Sequence, residues 1–356
     1  MLAVGIDPGT ISIDVCALDD GALVLYRSIP TADALADPAA FARMLRELNA
    51  DLIAGPSGYG LPLVTIAAAD DRAIRLAYLA APGEQGGIGG LRALAAAMVD
   101  AELPVVFTPG VIHLPSVPAH RKINRVDLGT ADKLCAAALA IREQATRRGC
   151  ALNEVSFILL ELGGAFSAAI AVHDGRIVDG AGGSAGPLGM RAAGALDGEV
   201  AFLAGTITKE LLFRGGVESI VGHTNVSLES LAGGATRDES TAWNAFMESA
   251  VKAVASLCVS VPAPHEILLS GRVARSPSVV RELHLRLSPI APVRRLHGYA
   301  SVAKEAAQGA ALIADGLAGG RHAVLTDVMG IRDASGTVLD HLRIITAADA
   351  MRRLGL

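Results

Sequence analysis

The feature that most constrains this chain is an internal duplication. When residue 7 is slid onto residue 161, an offset of 154, the punctuation coincides without a gap: Asp7 meets Glu161, Gly9 meets Gly163, and Asp20-Gly21 meets Asp174-Gly175. Each copy reads acid, any residue, glycine, strand, Asp-Gly turn, strand. An Asp-Gly turn alone is a common hairpin signal, but acid, glycine and turn matching at one register point to a repeated unit, and a repeat decides the fold class before any local reading does. A chain of 356 residues also exceeds the usual single-domain size, so two domains flanking a cleft are expected.

Local patterns fill in the two copies. Strands are predicted at Leu2–Asp7, Ile11–Leu18 and Ala22–Ile29, then a helix over Ala39–Leu48, a strand at Leu52–Ala54, a helix near Leu91–Ala101 and a strand at Pro104–Phe107. A long helix rich in small residues follows from about Thr130 to Arg147. From Val155 the order begins again, with strands Val155–Leu160, Ser167–Val172, Arg176–Asp179 and Glu266–Ser270 and helices Ser278–Leu287 and Ser301–Gly316. The prediction is an α/β fold of two domains built on mixed sheets: residues 1–128, a connecting helix 129–150, a second domain 151–316, and a tail 317–356 packing on the first domain. The tail contains a strand-like Thr337–Ile345.

Composition narrows the function. About half the residues are apolar but only 3% aromatic, so the core is aliphatic. The net charge of −5, spread along the chain, lacks the basic stripe that a nucleic-acid binder needs. Cys16, Cys135, Cys150 and Cys258 are too scattered for a CxxC metal pair or a disulfide framework. Apolar runs fall short of the roughly 18 residues that span a bilayer, and no basic segment precedes the first strand. The expectation is a soluble cytoplasmic protein with no membrane or nucleic-acid partner.

The paired hairpins suit phosphate chemistry. Backbone amides in a tight glycine turn point at anions, and a carboxylate at the strand end can hold a hydrated Mg²⁺ that bridges phosphate oxygens. In the first copy Asp7, Gly9, Thr10 and Ser12 are the candidates, and in the second Glu161, Gly163, Gly164 and Ser167. A third element, the strand Ile267–Ser270 running into Gly271-Arg272 and a helix start at Ser276-Pro277, offers a flat backbone and an N-terminus for a nucleotide's ribose or adenine.

These residues resemble, in order, the phosphate-1 (Asp7-Pro-Gly9-Thr10), connect-1 (Asp127-Leu-Gly129-Thr130 and the helix after it), phosphate-2 (Glu161-Leu-Gly163-Gly164) and adenosine (Ser270-Gly271-Arg272) motifs of the acetate and sugar kinase, heat-shock chaperone and actin superfamily. The resemblance covers about residues 1–316. It implies duplicated actin-like, ribonuclease-H-like domains, ATP and Mg²⁺ as cofactors, metal binding at Asp7 and Glu161, nucleotide contacts at Ser270, Gly271 and Arg272, and a small-molecule substrate; a homodimer is compatible with it. The second half is most similar to butyrate and acetate kinases, and the whole chain resembles a largely archaeal family of predicted butyrate kinases. Those enzymes usually carry His where Glu161 stands.

The acceptor side is sought in the polar run His113, His120, Arg121, Lys122, Asn124, Arg125, Asp127 and Asp132, and in the loop Pro56–Pro62. Arg121 or Arg125 is the candidate for gripping an acidic substrate or the moving phosphoryl group, and Asp127 for general base toward a hydroxyl acceptor. Two other readings share the fold: a nucleotide-driven switch or ATPase of the actin and chaperone type, and a ribonuclease-H-like nuclease, which would need more converging acids and a basic surface. The favoured reading is an ATP-dependent kinase whose acceptor is a small carboxylate or a hydroxyl compound.

Overall fold

The structure, a computed structural model, describes all residues except Thr10, Ser57, 80–87 and 301–303. Its strands in chain order are β1 (Leu2–Pro8), β2 (Ser12–Asp19), β3 (Ala22–Pro30), β4 (Leu52–Pro56), β5 (Val64–Thr65), β6 (Val105–Thr108), β7 (Phe157–Leu162), β8 (Ser167–His173), β9 (Arg176–Ala181), β10 (Glu266–Ser270) and β11 (Val293–Arg295). They form two sheets, in the orders β3-β2-β1-β4-β6-β5 and β9-β8-β7-β10-β11. Apart from the two-residue β5, which adds a sixth strand to the first sheet where five were expected, the sheets have the same topology.

The duplication holds residue by residue. Asp7 lies opposite Asp14 across β1 and β2, and Glu161 lies opposite Ala168 across β7 and β8, at the same offset. The second hairpin of each copy has a register shift at equivalent places, between Ala17 and Leu18 and between Ala171 and Val172. Both hairpins turn through two residues of positive φ, Asp20-Gly21 and Asp174-Gly175, the backbone that an Asp-Gly turn supplies at little cost.

Each central strand is apolar on both faces, because each sheet is covered on both sides. On the inner side, the helix Glu305–Leu317 packs on β1, β2 and β4, although it follows the second sheet in sequence. The connecting helix Ala131–Arg148 shares a core with Phe157, Leu159, Ile170 and Leu268 of the second sheet. The two helices are thus exchanged between the halves and pack directly on each other. Small residues permit this: a Cβ on Gly309 would collide with the Cys135 carbonyl, and one on Gly5 of β1 with the backbone at Ala307 and Ala311. The outer faces are closed by Pro38–Arg46 and Ile88–Asp100 on the first sheet and by Arg237–Leu257 and Pro277–Leu287 on the second.

Local rules explain the element ends. Ser276 caps the helix that begins at Pro277, with the proline at the first helical position, and Gly149 ends the connecting helix in the left-handed conformation. The predicted strand at Thr337–Ile345 does not form: this segment is a turn in which Asp340 accepts from the Thr337 amide at 2.7 Å and from its hydroxyl at 2.5 Å, a side-chain closure that competes with a strand ladder. A short helix, Ala347–Arg353, follows. The tail touches both halves. Its segment Ala323–Met329 packs on β9 and the connecting helix, while Gly355 accepts a hydrogen bond from Arg75 at 3.2 Å. The predicted helix Ser301–Gly316 is present as Glu305–Leu317, and its first three predicted residues lie outside the described ones.

The helix contact yields a test. Gly309→Val should lower unfolding free energy by about 3 kcal/mol through overpacking in urea titrations. Gly233→Ala, in a helix where an added Cβ meets nothing within 4 Å, should be neutral or stabilising by up to about 1 kcal/mol.

Candidate functional site

The carboxyl ends of β1 and β7 open onto one cavity of about 530 Å³. The glycine loops behind them are built alike. Gly9 N–H donates to the Ser12 carbonyl at 3.0 Å and Gly163 N–H to the Phe166 carbonyl at 2.9 Å, the same bond at the same offset. A Cβ placed on Gly164 would lie 3.9 Å from Ile11 Cδ1, so the two loops face each other across the cavity. Gly271, at φ 87°, sits against the Leu162 backbone, and Arg272 and Arg275 line the wall beyond it.

Four carboxylates and two lysines meet here. Lys304, just before the helix Glu305–Leu317, places its Nζ 2.7 Å from Asp14 Oδ2 and 3.5 Å from Asp7 Oδ2, and donates to the Ser12 carbonyl at 2.7 Å. Lys133, in the first turn of the connecting helix, donates to Asp132 Oδ2 at 2.7 Å and to Glu161 Oε1 at 2.5 Å. Because the helices are exchanged, the acid ending each sheet's first strand is met by a lysine carried by the other half of the sequence.

Burial dominates the electrostatics. It pushes Asp7 up to about 6 against the pull of Lys304, and Glu161 up to about 7 against that of Lys133. For Asp132 the outcome reverses: Lys133 and the Thr130 hydroxyl hold it below the usual range despite burial. Lys133 itself is pushed up by Asp132 and Glu161, which outweigh its desolvation. Glu161 Oε2, Ser167 Oγ and Ser270 Oγ are buried with no hydrogen-bond partner among the described residues. They sit at the ends of adjacent strands, since Ser270 pairs with Glu161 and Ser167 with Leu162. Three orphaned polar atoms at one strand edge mark a place prepared for a polar ligand or cation.

Most of the residues singled out from sequence converge. Asp7, Gly9, Ser12, Glu161, Gly163, Gly164, Gly271 and Arg272 line the cavity, and Ser167 and Ser270 are buried at its strand edge. Thr10 lies outside the described residues. Two expected catalytic residues are turned elsewhere. Arg121 donates to the Val178 carbonyl at 2.8 Å and stands 3.6 Å from Asp179. Asp127 is buried, its pKa raised by desolvation, and accepts from Ser184 N and Oγ at 2.9 Å each and from Gly129 N at 3.2 Å. Both brace the joint between the connecting helix and β9, and neither lines the cavity.

Of the rest of that polar run only Asp132 lines the cavity. His113 is buried, which pushes it down to about 4. Lys122 donates to the Leu114 carbonyl at 2.9 Å. Asn124 accepts from Arg343 N at 2.7 Å and holds the tail, while His120 and Arg125 are exposed. From the loop Pro56–Pro62, Gly58 reaches the cavity and Ser57 lies outside the described residues. Sequence reasoning missed Asp14, Lys133, Arg275 and Lys304. Only Asp14 carried a local signal, an acid inside the apolar run of β2.

The fold can now be placed. The chain superimposes on acetate kinase from Entamoeba histolytica with a TM-score of 0.59 at 8% identity, covering 81% of this chain and 87% of that one. Propionate kinase from Francisella tularensis subsp. tularensis SCHU S4 gives 0.60 at 13% identity, covering 86% and 98%. Acetate kinase from Porphyromonas gingivalis gives 0.55 at 14% identity, covering 78% of each. The fold is the duplicated actin-like one expected from the sequence. Within it, residues 5–344 match one family model, and the chain belongs to that family, described as a protein of unknown function, DUF1464. No curated protein matches the sequence. Among the described residues no helix is long and apolar enough to cross a membrane.

The raised carboxyls make a stability prediction. A group whose pKa is raised by folding contributes stability that is present at low pH and lost as pH rises through the folded value. The protein without ligand should therefore lose stability between about pH 4.5 and 7 through Glu161. Glu161→Gln should flatten that part of the profile and raise stability at pH 8 by about 2–3 kcal/mol, since each tenfold change in proton affinity is worth about 1.4 kcal/mol. Equal pH profiles for the two proteins in denaturant titrations would refute this balance.

Proposed function

We propose that this protein is an ATP-dependent small-molecule kinase, binding Mg-ATP between the two glycine hairpins and transferring its γ-phosphoryl group to an acceptor on the first-sheet side of the cavity. The observation that carries this is the pair of equivalent loops, each closed by the same glycine bond, facing one another beneath the carboxylates of Asp7 and Glu161. Support comes from the kinases of the same fold, acetate and propionate kinase.

The residues present fit a magnesium ion. Mg²⁺ is usually held by one or two carboxylates together with substrate phosphates, and keeps several waters. Asp7 is buried and Glu161 partly so, the protein leaves their charge under-compensated, and Glu161 Oε2 has no partner among the described residues. In this reading they hold the ion, which when bound neutralises phosphate charge. Gly9 and Gly163, whose own N–H groups close the loops, let the phosphates approach the backbone closely, and Gly164 and Ser12 line the same wall. Gly271 lies along the ribose and base, and Arg272 and Arg275 offset the remaining negative charge. Ser167 and Ser270 acquire partners when the cavity fills.

Catalysis of this kind is positioning plus electrostatic stabilisation, because phosphoryl transfer has little covalent chemistry for the protein to perform. The exchanged helices join the two hairpins, so closure of the halves brings the phosphates to the acceptor and excludes water. The sequence resemblance to butyrate and acetate kinases names a carboxylate as one acceptor class and leaves a hydroxyl as the other.

Asp7→Asn and Glu161→Gln should each lower Mg-ATP turnover at least about 100-fold while circular dichroism stays native. Wild-type turnover in both variants would sink the reading. A nucleotide-driven switch would instead hydrolyse ATP and yield no phosphorylated small molecule under any acceptor tested.

A further inference from the structure

We propose that the phosphoryl acceptor is an uncharged hydroxyl compound rather than a carboxylate, and that Asp132 is the catalytic residue that takes the hydroxyl proton. This rests on the kinase reading above and concerns the same cavity.

The cations available decide the acceptor class. Among the described residues the cavity is lined by four basic side chains, Lys133, Arg272, Arg275 and Lys304. The remaining residues, Thr10, Ser57, 80–87 and 301–303, include no lysine or arginine, so they bring no further cation. Arg272 and Arg275 follow β10, on the nucleotide side beside Gly271. Both lysines are already engaged. Lys133 faces two carboxylates, Asp132 and Glu161, and Lys304 faces two more, Asp7 and Asp14. Each lysine is outnumbered two to one.

A carboxylate acceptor needs an arginine fork or a comparable unpaired cation to hold it against the phosphates. The first-sheet side of this cavity supplies none. Arg121, the natural candidate from sequence, is tied to the Val178 carbonyl and Asp179 outside the cavity. Wall residues there are neutral or acidic: Ser28, Gly58, Tyr78 and Thr130 beside Asp132. Such a wall accepts hydrogen bonds from hydroxyls and repels an anion.

Asp132 fits the proton's destination by position. It lines the cavity at the start of the connecting helix, and its two oxygens accept from Thr130 Oγ1 at 2.5 Å and Lys133 Nζ at 2.7 Å. A carboxylate has about four acceptor sites, so it retains capacity for one more proton. Thr130 and Lys133 fix its orientation. In the step, the acceptor oxygen forms a bond to the γ-phosphorus, the bond from that phosphorus to the β–γ bridging oxygen breaks, ADP leaves with the electron pair, and the hydroxyl proton passes to the Asp132 carboxylate.

Two measurements on the full chain test this. First, the protein is incubated with Mg-ATP, hydroxylamine and acetate, propionate or butyrate, and acyl phosphate is read as hydroxamate. None is expected, and hydroxamate from any of the three overturns the proposal while leaving the kinase reading intact. Second, water serves as the smallest hydroxyl acceptor. Asp132→Asn should slow ATP hydrolysis about 100-fold while its affinity for a fluorescent ATP analogue changes less than about 3-fold. Hydrolysis at the wild-type rate overturns the role of Asp132. Absence of analogue binding to the wild-type protein overturns the kinase reading itself, so the two failures are told apart.

Discussion

The structure depends on a close helix contact that leaves no room for side chains. The connecting helix and Glu305–Leu317 lie between the two sheets, and each covers the sheet of the opposite half of the sequence. Gly309 on Cys135 sets how near the helices come to each other, and Gly5 under Ala307 and Ala311 how near the second comes to β1. Interiors this tightly packed transmit shifts rather than absorb them. The helix starts carry Lys133 and Lys304, so the same contact that joins the halves also places a cation beside Glu161 and Asp7.

That arrangement explains why so much charge is tolerated in the cleft. A buried carboxylate is costly unless paired. Here two lysines face four acids, enough to keep the cluster together but not to satisfy it. The shortfall appears as the raised Asp7 and Glu161 and as the unpartnered oxygen of Glu161. Binding sites are commonly drawn from such unresolved electrostatics, and the metal-bound nucleotide proposed above would resolve this one.

Much of the fold was legible in the sequence because its signals are local. Acid, glycine and Asp-Gly turn are each fixed by backbone geometry, and they recur at one offset through to the hydrogen bonds of Gly9 and Gly163. The loop glycines and strand-end acids of the site were legible for the same reason. The lysines were not, since Lys304 reaches Asp7 only through the exchange of helices, a contact no local pattern encodes. Arg121 and Asp127 were read as catalytic from their polarity and place before the connecting helix. Their partners, Val178, Asp179 and Ser184, come from a strand and loop almost sixty residues further on. In the tail, the apolar character of 337–345 pointed to a strand, and the Thr337–Asp340 turn prevented it.

The central claim is that the two hairpins form one site for a metal-bound nucleotide. It is tested most directly by titrating the wild-type protein with a fluorescent ATP analogue, with and without Mg²⁺, at a pH where Asp7 and Glu161 are ionised. The account predicts saturable binding at one site per chain that tightens by at least about tenfold when Mg²⁺ is added. Binding that ignores the metal, or no saturable binding at all, would contradict it.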